Sequence, residues 1–247
     1  MDLVSVITPY YKKKNFIKEA ILSVLNQTYQ NLEIFIIYDD ESSDDLDFIK
    51  QIKNLDNRIN LIINTKKLGV GLSRNLAIKS AKGKYIAFLD SDDIWKKNKI
   101  EKQLYFMKEN DFKISHTSYE IIDHKNNVIG MRVARSFKSL QDLLKSCDIG
   151  LSSVLLNKEI LSEECIFPNL KTKEDFVLWL KIIKKNIIIA GINENLTSWR
   201  KLNNSLSSST LQKLFDGFSV YHNYMKFSFI KSIYYLFCLS INYLKKN

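Results

Sequence analysis

The sequence predicts an α/β fold, with a mostly parallel sheet flanked by helices, from two observations. Within residues 1–100, short apolar runs of strand length alternate with segments whose apolar side chains recur at helical spacing. This alternation is typical of parallel strands joined by right-handed helical crossovers. The run at 32–38 is also apolar at nearly every position, as a central parallel strand with both faces covered requires.

The first hundred residues supply the predicted elements in a regular order. Strands are predicted at 3–8, 32–38, 59–63 and 85–89, and helices at 16–25, 44–54 and 71–81. Asn15 is the expected N-cap of the first helix, because its side chain can accept a hydrogen bond from the backbone of the first turn. Hydrophobic residues make up 45% of the 247 residues, which is enough for a sizeable buried core.

The pattern is less regular after residue 100. Short strands are predicted at 113–117 and 119–122, with a turn at Asn126-Asn127. An amphipathic helix is predicted at 174–185, with an apolar face formed by Phe176, Val177, Leu180 and Ile183. A polar loop at 203–209 is expected to end the compact domain.

The chain is therefore divided into a catalytic domain at 1–210 and a helical, aromatic and basic C-terminal extension at 211–247. Ten of the last 37 residues are Phe or Tyr, and five Lys accompany a single Asp, Asp216. Two interpretations stay open for this extension. It docks on an anionic membrane surface, or it forms a helical hairpin that packs on the catalytic domain or on a second subunit.

Charge and cysteine content limit the function classes. The formal net charge of +10 is compatible with an anionic partner such as nucleic acid, a phosphorylated substrate or anionic lipid. No DNA- or RNA-binding motif accompanies it, so nucleic acid is not expected. Three widely spaced cysteines without a CxxC pair argue against a disulfide framework or a zinc ribbon. Since no uncharged apolar run reaches 18 residues, no spanning helix is expected, and a cytoplasmic location is predicted, peripheral on the inner membrane.

Two acidic clusters follow predicted strands. Asp39-Asp40-Glu41-Ser42 comes after the second strand and Asp90-Ser91-Asp92-Asp93 after the fourth, so both are expected at one edge of the sheet, where ligands bind in such folds. Asp90 and Asp92 can present oxygens to Mg²⁺ or Mn²⁺, or can belong to a solvated turn. Asp39 can accept hydrogen bonds from a nucleotide, or the cluster can favour a helix dipole.

Four further residues have both a functional and a structural interpretation. Arg74 occupies the third glycine position of a dinucleotide fingerprint, which therefore fails; this arginine faces an anion or lies on the surface. Glu174-Asp175 opens a predicted helix, where a carboxylate can act as a general base or complete a capping box with Thr172. Arg200 clamps a diphosphate or packs on Trp199 as an ordinary surface residue.

Taken in order, these segments resemble the family 2 glycosyltransferases of the GT-A fold over residues 3–208. The matching segments are Val4–Tyr11, Ile21–Tyr29, Tyr38–Ser42, Gly71–Asn75, Gly83–Asp93, Lys173–Asp175 with Leu178-Trp179, and Trp199-Arg200 before Asn204–Ser207. The resemblance implies a GT-A, Rossmann-like mixed sheet, with a nucleotide-sugar-binding half at 1–100 and an acceptor-binding half at 101–210.

The resemblance also implies roles for single residues. Asp175 is the implied catalytic base, and Asp92 with Asp90 the implied ligands of Mn²⁺ or Mg²⁺. The implied substrate-binding residues are Thr8, Pro9, Tyr10, Asp39, Arg74, Asp90, Ser91, Glu174 and Arg200. In the family a Tyr-Arg pair and a histidine are common near the last of these, whereas here Trp199 replaces the tyrosine and no histidine follows.

The implied function is a metal-dependent, inverting transfer from a nucleotide-diphosphate sugar, UDP-linked in the favoured case. The acceptor is a hydroxyl group of a glycan or lipid-linked molecule in cell-surface polysaccharide or lipo-oligosaccharide biosynthesis. Two alternatives stay open. An inactive relative would retain only the donor pocket, and a nucleotidyltransferase would need a glycine-rich phosphate loop that residues 8–14 lack.

Overall fold

The computed structural model describes residues 1–146, 148–202 and 210–244, and its centre is a nine-stranded mixed sheet. The strands are β1 Val4–Tyr10, β2 Leu32–Tyr38, β3 Ile59–Ile63, β4 Tyr85–Phe88, β5 Ile94–Trp95, β6 Ile114–Ile122, β7 Val128–Arg132, β8 Leu155–Asn157 and β9 Ala190–Arg200. The helices are α1 Lys14–Leu25, α2 Ser43–Lys53, α3 Val70–Ser80, α4 Lys99–Glu109, α5 Leu140–Leu144, α6 Glu174–Lys184, α7 Thr210–Ser219 and α8 Phe229–Leu244.

The strand order is β3-β2-β1-β4-β8-β6-β9-β5, with β7 paired to β6. The strands β1 to β4 are parallel to their neighbours within this group, β6 is parallel to β9, and the pairs β4–β8, β8–β6, β6–β7 and β9–β5 are antiparallel. The expected α/β fold with a mixed, largely parallel sheet is therefore confirmed.

Each face of the sheet has its own apolar core, because side chains alternate along a strand. On one face, Ile7, Ile37 and Phe88 pack in a cluster that also contains the α6 side chain of Trp179. On the other face, Val6, Ile36 and Ala87 pack with residues of α1, α2 and α4. The helices thus cover both faces, as the apolar run of β2 predicted.

The predicted helices and strands of residues 1–100 are confirmed, apart from their ends and one cap. The N-cap of α1 is Lys13 and not Asn15, which lies inside the first turn; that prediction is wrong. The chain turns into this helix at Lys12, where φ is 51° and the backbone N–H donates to Asp40 Oδ2 at 2.9 Å. This long-range contact, rather than a local cap, fixes where the helix begins.

The middle of the chain was predicted only in part. The two short strands at 113–122 are one strand, β6, interrupted by irregular register at Thr117–Tyr119. The turn at Asn126-Asn127 is confirmed, since Asn126 adopts a φ of 70° between β6 and β7. The helix at 174–185 is confirmed as α6, which is buried on more sides than its predicted face. The polar loop predicted at 203–209 lies outside the described residues.

The C-terminal helices pack on the catalytic domain. Tyr221, in a π-helical turn after α7, belongs to the same apolar core as Trp179, and its hydroxyl donates to the Leu144 carbonyl at 2.6 Å. Tyr235 and Leu239 of α8 join that core. Of the interpretations left open for the extension, packing on the catalytic domain is therefore observed, while the boundary at 210 stays a prediction. Within the described ranges, no helix combines the length and hydrophobicity that crossing a membrane requires.

Candidate active site

Polar residues collect where the parallel strands end. Because β1 is parallel to both β2 and β4, the segments that follow Tyr10, Tyr38 and Phe88 emerge at the same edge of the sheet. The acidic clusters at 39–42 and 90–93 lie on this edge, as the sequence predicted. The edge is the place where open α/β sheets bind ligands.

Asp39 holds the loop between β3 and α3. Its Oδ1 accepts hydrogen bonds from Asn64 Nδ2 at 2.7 Å and Leu68 N at 2.8 Å, and its Oδ2 accepts one from Gly69 N at 2.8 Å. The dipole interpretation applies to residues after Asp39 instead, since Ser42 caps α2 and Asp44 and Asp45 occupy its first turn. Asp39 thus gives this loop a fixed position beside the strand ends.

The end of β1 forms a buried wall next to Asp39. Thr8, Pro9 and Tyr10 are all buried, and Thr8 Oγ1 has no hydrogen-bond partner among the described residues. The Tyr10 ring stacks on Tyr38 with centroids 5.5 Å apart, and its hydroxyl donates to Asp45 Oδ2 at 2.6 Å. Burial, together with that carboxylate, raises the pKa of Tyr10. An unpaired buried hydroxyl is costly, so Thr8 Oγ1 is suited to contact a polar ligand.

Arg74 connects the acidic turn at residues 90–93 to the acidic start of α6. Its Nη2 lies 2.6 Å from Asp90 Oδ1 and its Nη1 lies 2.7 Å from Glu174 Oε1. Only 2% of the Arg74 side chain is exposed, so the alternative of a surface arginine is wrong. The planar guanidinium has enough donors to bind both carboxylates at once.

The segment that contains Arg74 is held in place on both sides. Ser73 Oγ accepts a hydrogen bond from Asn64 Nδ2 at 2.9 Å, on the Asp39 side. Asn75 exchanges two hydrogen bonds with the Phe167 backbone, at 2.8 and 3.1 Å, on the other side. The first turns of α3 therefore join the β3–α3 loop to the segment that precedes α6.

The turn at residues 90–93 is fixed by Ser152, which follows it by some sixty residues in the chain. Asp90 N donates to Ser152 Oγ at 3.0 Å, and that hydroxyl donates to Asp93 Oδ2 at 2.5 Å. Burial, followed by repulsion from Asp92 and Asp90, raises the pKa of Asp93 well above its usual range. Ser91 is buried in the same turn. The buried Asp93 carboxyl therefore stabilises the turn, while Asp90 and Asp92 lie nearer the surface.

Asp92 is paired with a lysine from the β1–α1 connection. Lys13 Nζ lies 2.7 Å from Asp92 Oδ2, and the two side chains are 20% and 15% exposed. Burial raises the pKa of Asp92, while the Lys13 ammonium works in the opposite direction. A cation is thus already placed against the carboxylate that the resemblance implies as a metal ligand.

The donor set fits a divalent cation that binds together with a nucleotide. In the part of the chain that the structure describes, no three His, Cys, Asp or Glu side chains converge on one point. Mg²⁺ and similar ions at nucleotide sites need only one or two carboxylates, because phosphate oxygens and water complete their coordination. Asp90 and Asp92 supply such oxygen ligands on one turn, and the Asp90 side chain is 33% exposed.

Glu174 and Asp175 open α6 without a capping box. The predicted cap is wrong because Thr172 turns elsewhere: its N–H and Oγ1 donate to Asp216 Oδ2 at 2.9 and 2.8 Å. The residue before the helix is Lys173, with a φ of 63°. Burial raises the pKa of Glu174 to about 7, although Arg74 works against it.

Asp175 has the surroundings of a general base. It is half-buried, and its Oδ1 accepts a hydrogen bond from Phe176 N at 2.7 Å. Among the described residues, nothing donates to its second oxygen. Burial raises its pKa, which makes the carboxylate a stronger proton acceptor than an exposed aspartate.

Arg200 stabilises the acidic turn at residues 90–93 through hydrogen bonds. Its backbone N donates to Asp93 Oδ1 at 2.8 Å, its Nε donates to the Asp92 carbonyl at 2.8 Å, and its Nη2 lies 3.0 Å from Glu19 Oε2. The side chain is 1% exposed, so the alternative of a surface arginine is wrong. Its contact with a diphosphate stays a prediction, and the observed contacts give it a positioning role.

Three residues of the site were not singled out from the sequence: Lys13, Asn64 and Ser152. Lys13 lies in a run of three lysines after the first strand, a signal from which a cation near this edge could have been predicted. Asn64 and Ser152 sit in segments without a distinctive pattern. Outside the site, His116 is buried, whereas His124 and His222 are exposed.

Known proteins resemble this chain both in sequence and in fold. The model of "Glycosyl transferase family 2" matches residues 5–159. A putative teichuronic acid biosynthesis glycosyltransferase, TuaG of Bacillus subtilis, is 34% identical, covering 99% of this chain and 97% of the relative. The Escherichia coli protein WfgD, named as a UDP-Glc:alpha-D-GlcNAc-diphosphoundecaprenol beta-1,3-glucosyltransferase, is 38% identical, covering 99% of this chain and 95% of the relative.

Solved structures agree with the fold at lower sequence identity. S. aureus TarS in complex with UDP-GlcNAc superposes with a TM-score of 0.74 at 18% identity, covering 95% of this chain and 70% of that one. A Pyrobaculum calidifontis mannosyltransferase in complex with GDP-Man and Mn²⁺ superposes with a TM-score of 0.72 at 12% identity, covering 97% and 72%. The GT-A fold that the resemblance implied is thereby confirmed.

Proposed function

The chain belongs to glycosyl transferase family 2 and is a glycosyltransferase, and from this premise we propose that it transfers a hexosyl or N-acetylhexosaminyl group from a UDP-sugar to a hydroxyl group of a lipid-linked acceptor. The transfer inverts the anomeric carbon and extends a cell-surface glycan at the cytoplasmic face of the membrane. The names of two relatives support this proposal. One refers to teichuronic acid biosynthesis, and the other to a UDP-glucose donor and a diphosphoundecaprenol-linked acceptor.

The observation that carries the proposal is the pair of contacts made by Arg74. One buried guanidinium binds Asp90, on the side proposed for the donor, and Glu174, beside the proposed base Asp175. Transfer requires the anomeric carbon and the acceptor hydroxyl to be held within reach of each other. A rigid link between the two carboxylate regions meets that requirement.

The donor half of the site is assigned to residues 1–100. We assign the nucleotide base to the wall formed by Thr8, Pro9, Tyr10 and Asp39, where the Thr8 hydroxyl lacks a protein partner. Asp92 and Asp90 would hold Mn²⁺ or Mg²⁺, with Ser91 between them. When bound, such an ion neutralises the charge that develops on the leaving diphosphate. Lys13, at 2.7 Å from Asp92, adds a second positive charge there.

The acceptor half is assigned to residues 101–210, with Asp175 as the base. Its second carboxylate oxygen takes the proton of the acceptor hydroxyl as the oxygen attacks the anomeric carbon opposite the diphosphate. Glu174 and Arg74 orient the start of α6 through their ion pair. Arg200 positions the metal-binding turn through its hydrogen bonds to the Asp92 carbonyl and to Asp93. General-base catalysis of this kind contributes roughly 10²–10⁴-fold to the rate.

Donor binding and turnover test these assignments together. Calorimetric titrations with UDP-, GDP- and dTDP-sugars, each with Mn²⁺ or Mg²⁺, would be made on the wild type, Asp92→Ala and Asp175→Asn. We expect metal-dependent binding of a UDP-sugar that Asp92→Ala loses. Asp175→Asn should keep the binding and lose roughly 10²–10⁴-fold in turnover. Asp47→Asn is a matched control, because that side chain is 70% exposed on α2 and should change neither quantity.

Two outcomes would overturn the proposal. If no nucleotide sugar binds with either metal, the donor assignment fails. If the product, followed by proton NMR of the anomeric signal, retains the configuration of the donor, Asp175 does not act as the base of a direct displacement.

A further inference from the structure

The two C-terminal helices carry a large apolar surface that faces outward. Its members are each between 41% and 81% exposed. This α7–α8 surface consists of Leu211, Leu214, Phe215, Phe229, Ile230, Ile233, Tyr234 and Phe237. Contiguous exposed apolar surface of this kind marks an interaction site in a soluble domain.

This surface is separate from the one that holds the helices to the domain. In α8, Ser232, Tyr235 and Leu239 are buried against the core, while Ile230 and Phe237 point away from it. The two helices meet at this face, since the rings of Phe218 in α7 and Phe229 in α8 are 5.5 Å apart. The helices are therefore held on the domain mainly by their buried side chains, and the outward ones remain open to a partner.

The exposed charged residues of the described range 210–244 are lysines. Lys226 and Lys231 are exposed beside it, and Lys231 Nζ lies 4.1 Å from the centroid of the Phe227 ring. The acidic residue of the described range 210–244 is Asp216, which is buried and accepts hydrogen bonds from Thr172. A second copy would bring lysine against lysine across the contact, which is unfavourable. An anionic lipid surface accepts both the lysines and the apolar side chains.

The same helices touch the acceptor side of the site. Asp216 of α7 accepts the Thr172 hydrogen bonds, three residues before Asp175. The neighbouring Gly217 also lies near Lys173, since an added Cβ would be in ordinary van der Waals contact with its Cε at 3.9 Å. The start of α6 is therefore anchored to the element that carries the apolar surface.

We propose that the α7–α8 surface docks on an anionic lipid bilayer, and that the Asp216–Thr172 hydrogen bonds hold the start of α6 next to that bilayer. The inference deepens the proposed function and rests on it for the lipid-linked acceptor. Docking would keep the enzyme at the membrane surface, where it meets a lipid-linked acceptor by diffusion within the plane of the membrane. The sequence left two interpretations of the C-terminal helices open, docking on a membrane and packing on protein. Under this proposal the helices do both.

Vesicle co-sedimentation of the full chain tests the docking surface. Vesicles of phosphatidylcholine alone and of phosphatidylcholine with phosphatidylglycerol would be compared. We expect binding to the mixed vesicles that weakens with salt, as contacts between lysines and anionic headgroups do. Phe215→Ser with Ile230→Ser, and separately Lys226→Glu with Lys231→Glu, should each weaken binding roughly tenfold or more.

Matched controls separate the surface from general hydrophobicity and charge. Tyr105→Ser removes an aromatic side chain that is 67% exposed on α4, and should bind as the wild type does. Lys79→Glu with Lys82→Glu changes the net charge equally at exposed positions away from the C-terminal helices. If these controls lose as much binding as the α7–α8 variants, or the latter lose none, the proposed surface is wrong.

Two further measurements identify the reason for a failure. If sedimentation velocity shows a dimer that Phe215→Ser with Ile230→Ser dissociates, a second copy covers the surface and the lipid proposal is overturned. UDP-sugar binding and hydrolysis by the α7–α8 variants should equal those of the wild type, because these residues lie outside the site. If the wild type itself does not bind a UDP-sugar, the proposed function is overturned, whatever the result of vesicle co-sedimentation.

Discussion

Arg74 Nη1 lies 2.7 Å from Glu174 Oε1, although the two residues are separated by 100 positions in the chain. Both side chains are nearly inaccessible to solvent, with 2% and 10% exposed. The ion pair joins the first turns of α3 to the first residue of α6, and through Asp90 it reaches the acidic turn after β4. The hydrogen bonds from Arg200 to Asp93 and to the Asp92 carbonyl join the same turn to a segment that is similarly distant in the chain.

Replacing Arg74 by Met should destabilise the protein strongly. The substitution leaves Glu174 without its cation in a buried place, and breaking a buried pair in this way costs about 3–5 kcal/mol. Urea unfolding at pH 8 measures the loss. Arg58→Met is the control, because the Arg58–Asp56 pair at 2.9 Å is more exposed and pairs of that kind contribute about 0–1 kcal/mol. Equal losses in the two variants would show that the buried pair does not stabilise the fold.

Gly71→Ala should damage the site through a steric contact. An added Cβ would lie 2.7 Å from the Pro168 carbonyl oxygen and 3.4 Å from Glu174 Cγ, so the segment before α6 must shift. We expect a loss of about 1–3 kcal/mol in the free energy of unfolding, as for other overpacked positions, and a fall in turnover. Gly130→Ala is the matched control, since its nearest atom would be 3.5 Å away. A Gly71→Ala protein with wild-type stability and turnover would show that the 167–174 segment adapts freely.

The sequence predicted the first half of the fold well because each element there is defined by nearby residues. The apolar run of β2 and the helical periodicity of α1 are local patterns, and parallel strands between helices leave few arrangements. The strands β5 and β9 were not predicted. β5 has only two residues, and β9 alternates polar residues such as Asn193 and Asn195 without a clear apolar face. Their positions depend on pairing with each other and with β6, which no local pattern reports.

The site was predicted to different degrees for a similar reason. Asp39 and Asp90 follow strands, so the topology alone brought them to one edge. The burial of Arg74 was left open, because it depends on two carboxylates, one of them 100 residues away. The capping box at Thr172 was wrong because Asp216, distant in sequence, takes its hydrogen bonds. Contacts between remote segments, rather than local propensity, decided these cases.

Lys13→Met should increase the affinity of the nucleotide-free protein for Mn²⁺. The Lys13 ammonium, 2.7 Å from Asp92 Oδ2, competes with any other cation for that carboxylate. Isothermal titration with Mn²⁺ measures the change. We expect it to be about 2- to 5-fold, because a partly exposed ion pair contributes up to about 1 kcal/mol. Lys14→Met is the control, because Lys14 pairs with Asp45 at 3.3 Å instead. Weaker Mn²⁺ binding in Lys13→Met would mean that the lysine supports the metal site rather than competing with it.

His116 should make the protein sensitive to acid. Burial lowers its pKa to about 4 from the usual 6.5. Its Nε2–H donates to the Arg135 carbonyl at 2.9 Å, while Nδ1 has no partner among the described residues. The neighbouring charges act in opposite directions, since Asp148 raises this pKa and Arg135 lowers it. A proton on Nδ1 would place a charge on a buried nitrogen that has no hydrogen-bond acceptor among the described residues.

The sign of the effect follows from the lowered pKa. Between pH 6.5 and pH 4 the unfolded chain binds a proton at His116 that the folded protein does not, so stability falls as the pH falls through this window. From pH 7 to pH 5 the histidine alone should cost about 2 kcal/mol. Urea unfolding of His116→Gln, which retains a donor for the Arg135 carbonyl, should show a loss smaller by that amount. All other titrating groups are common to both proteins, so equal losses in the wild type and the variant would mean that His116 does not produce the acid sensitivity.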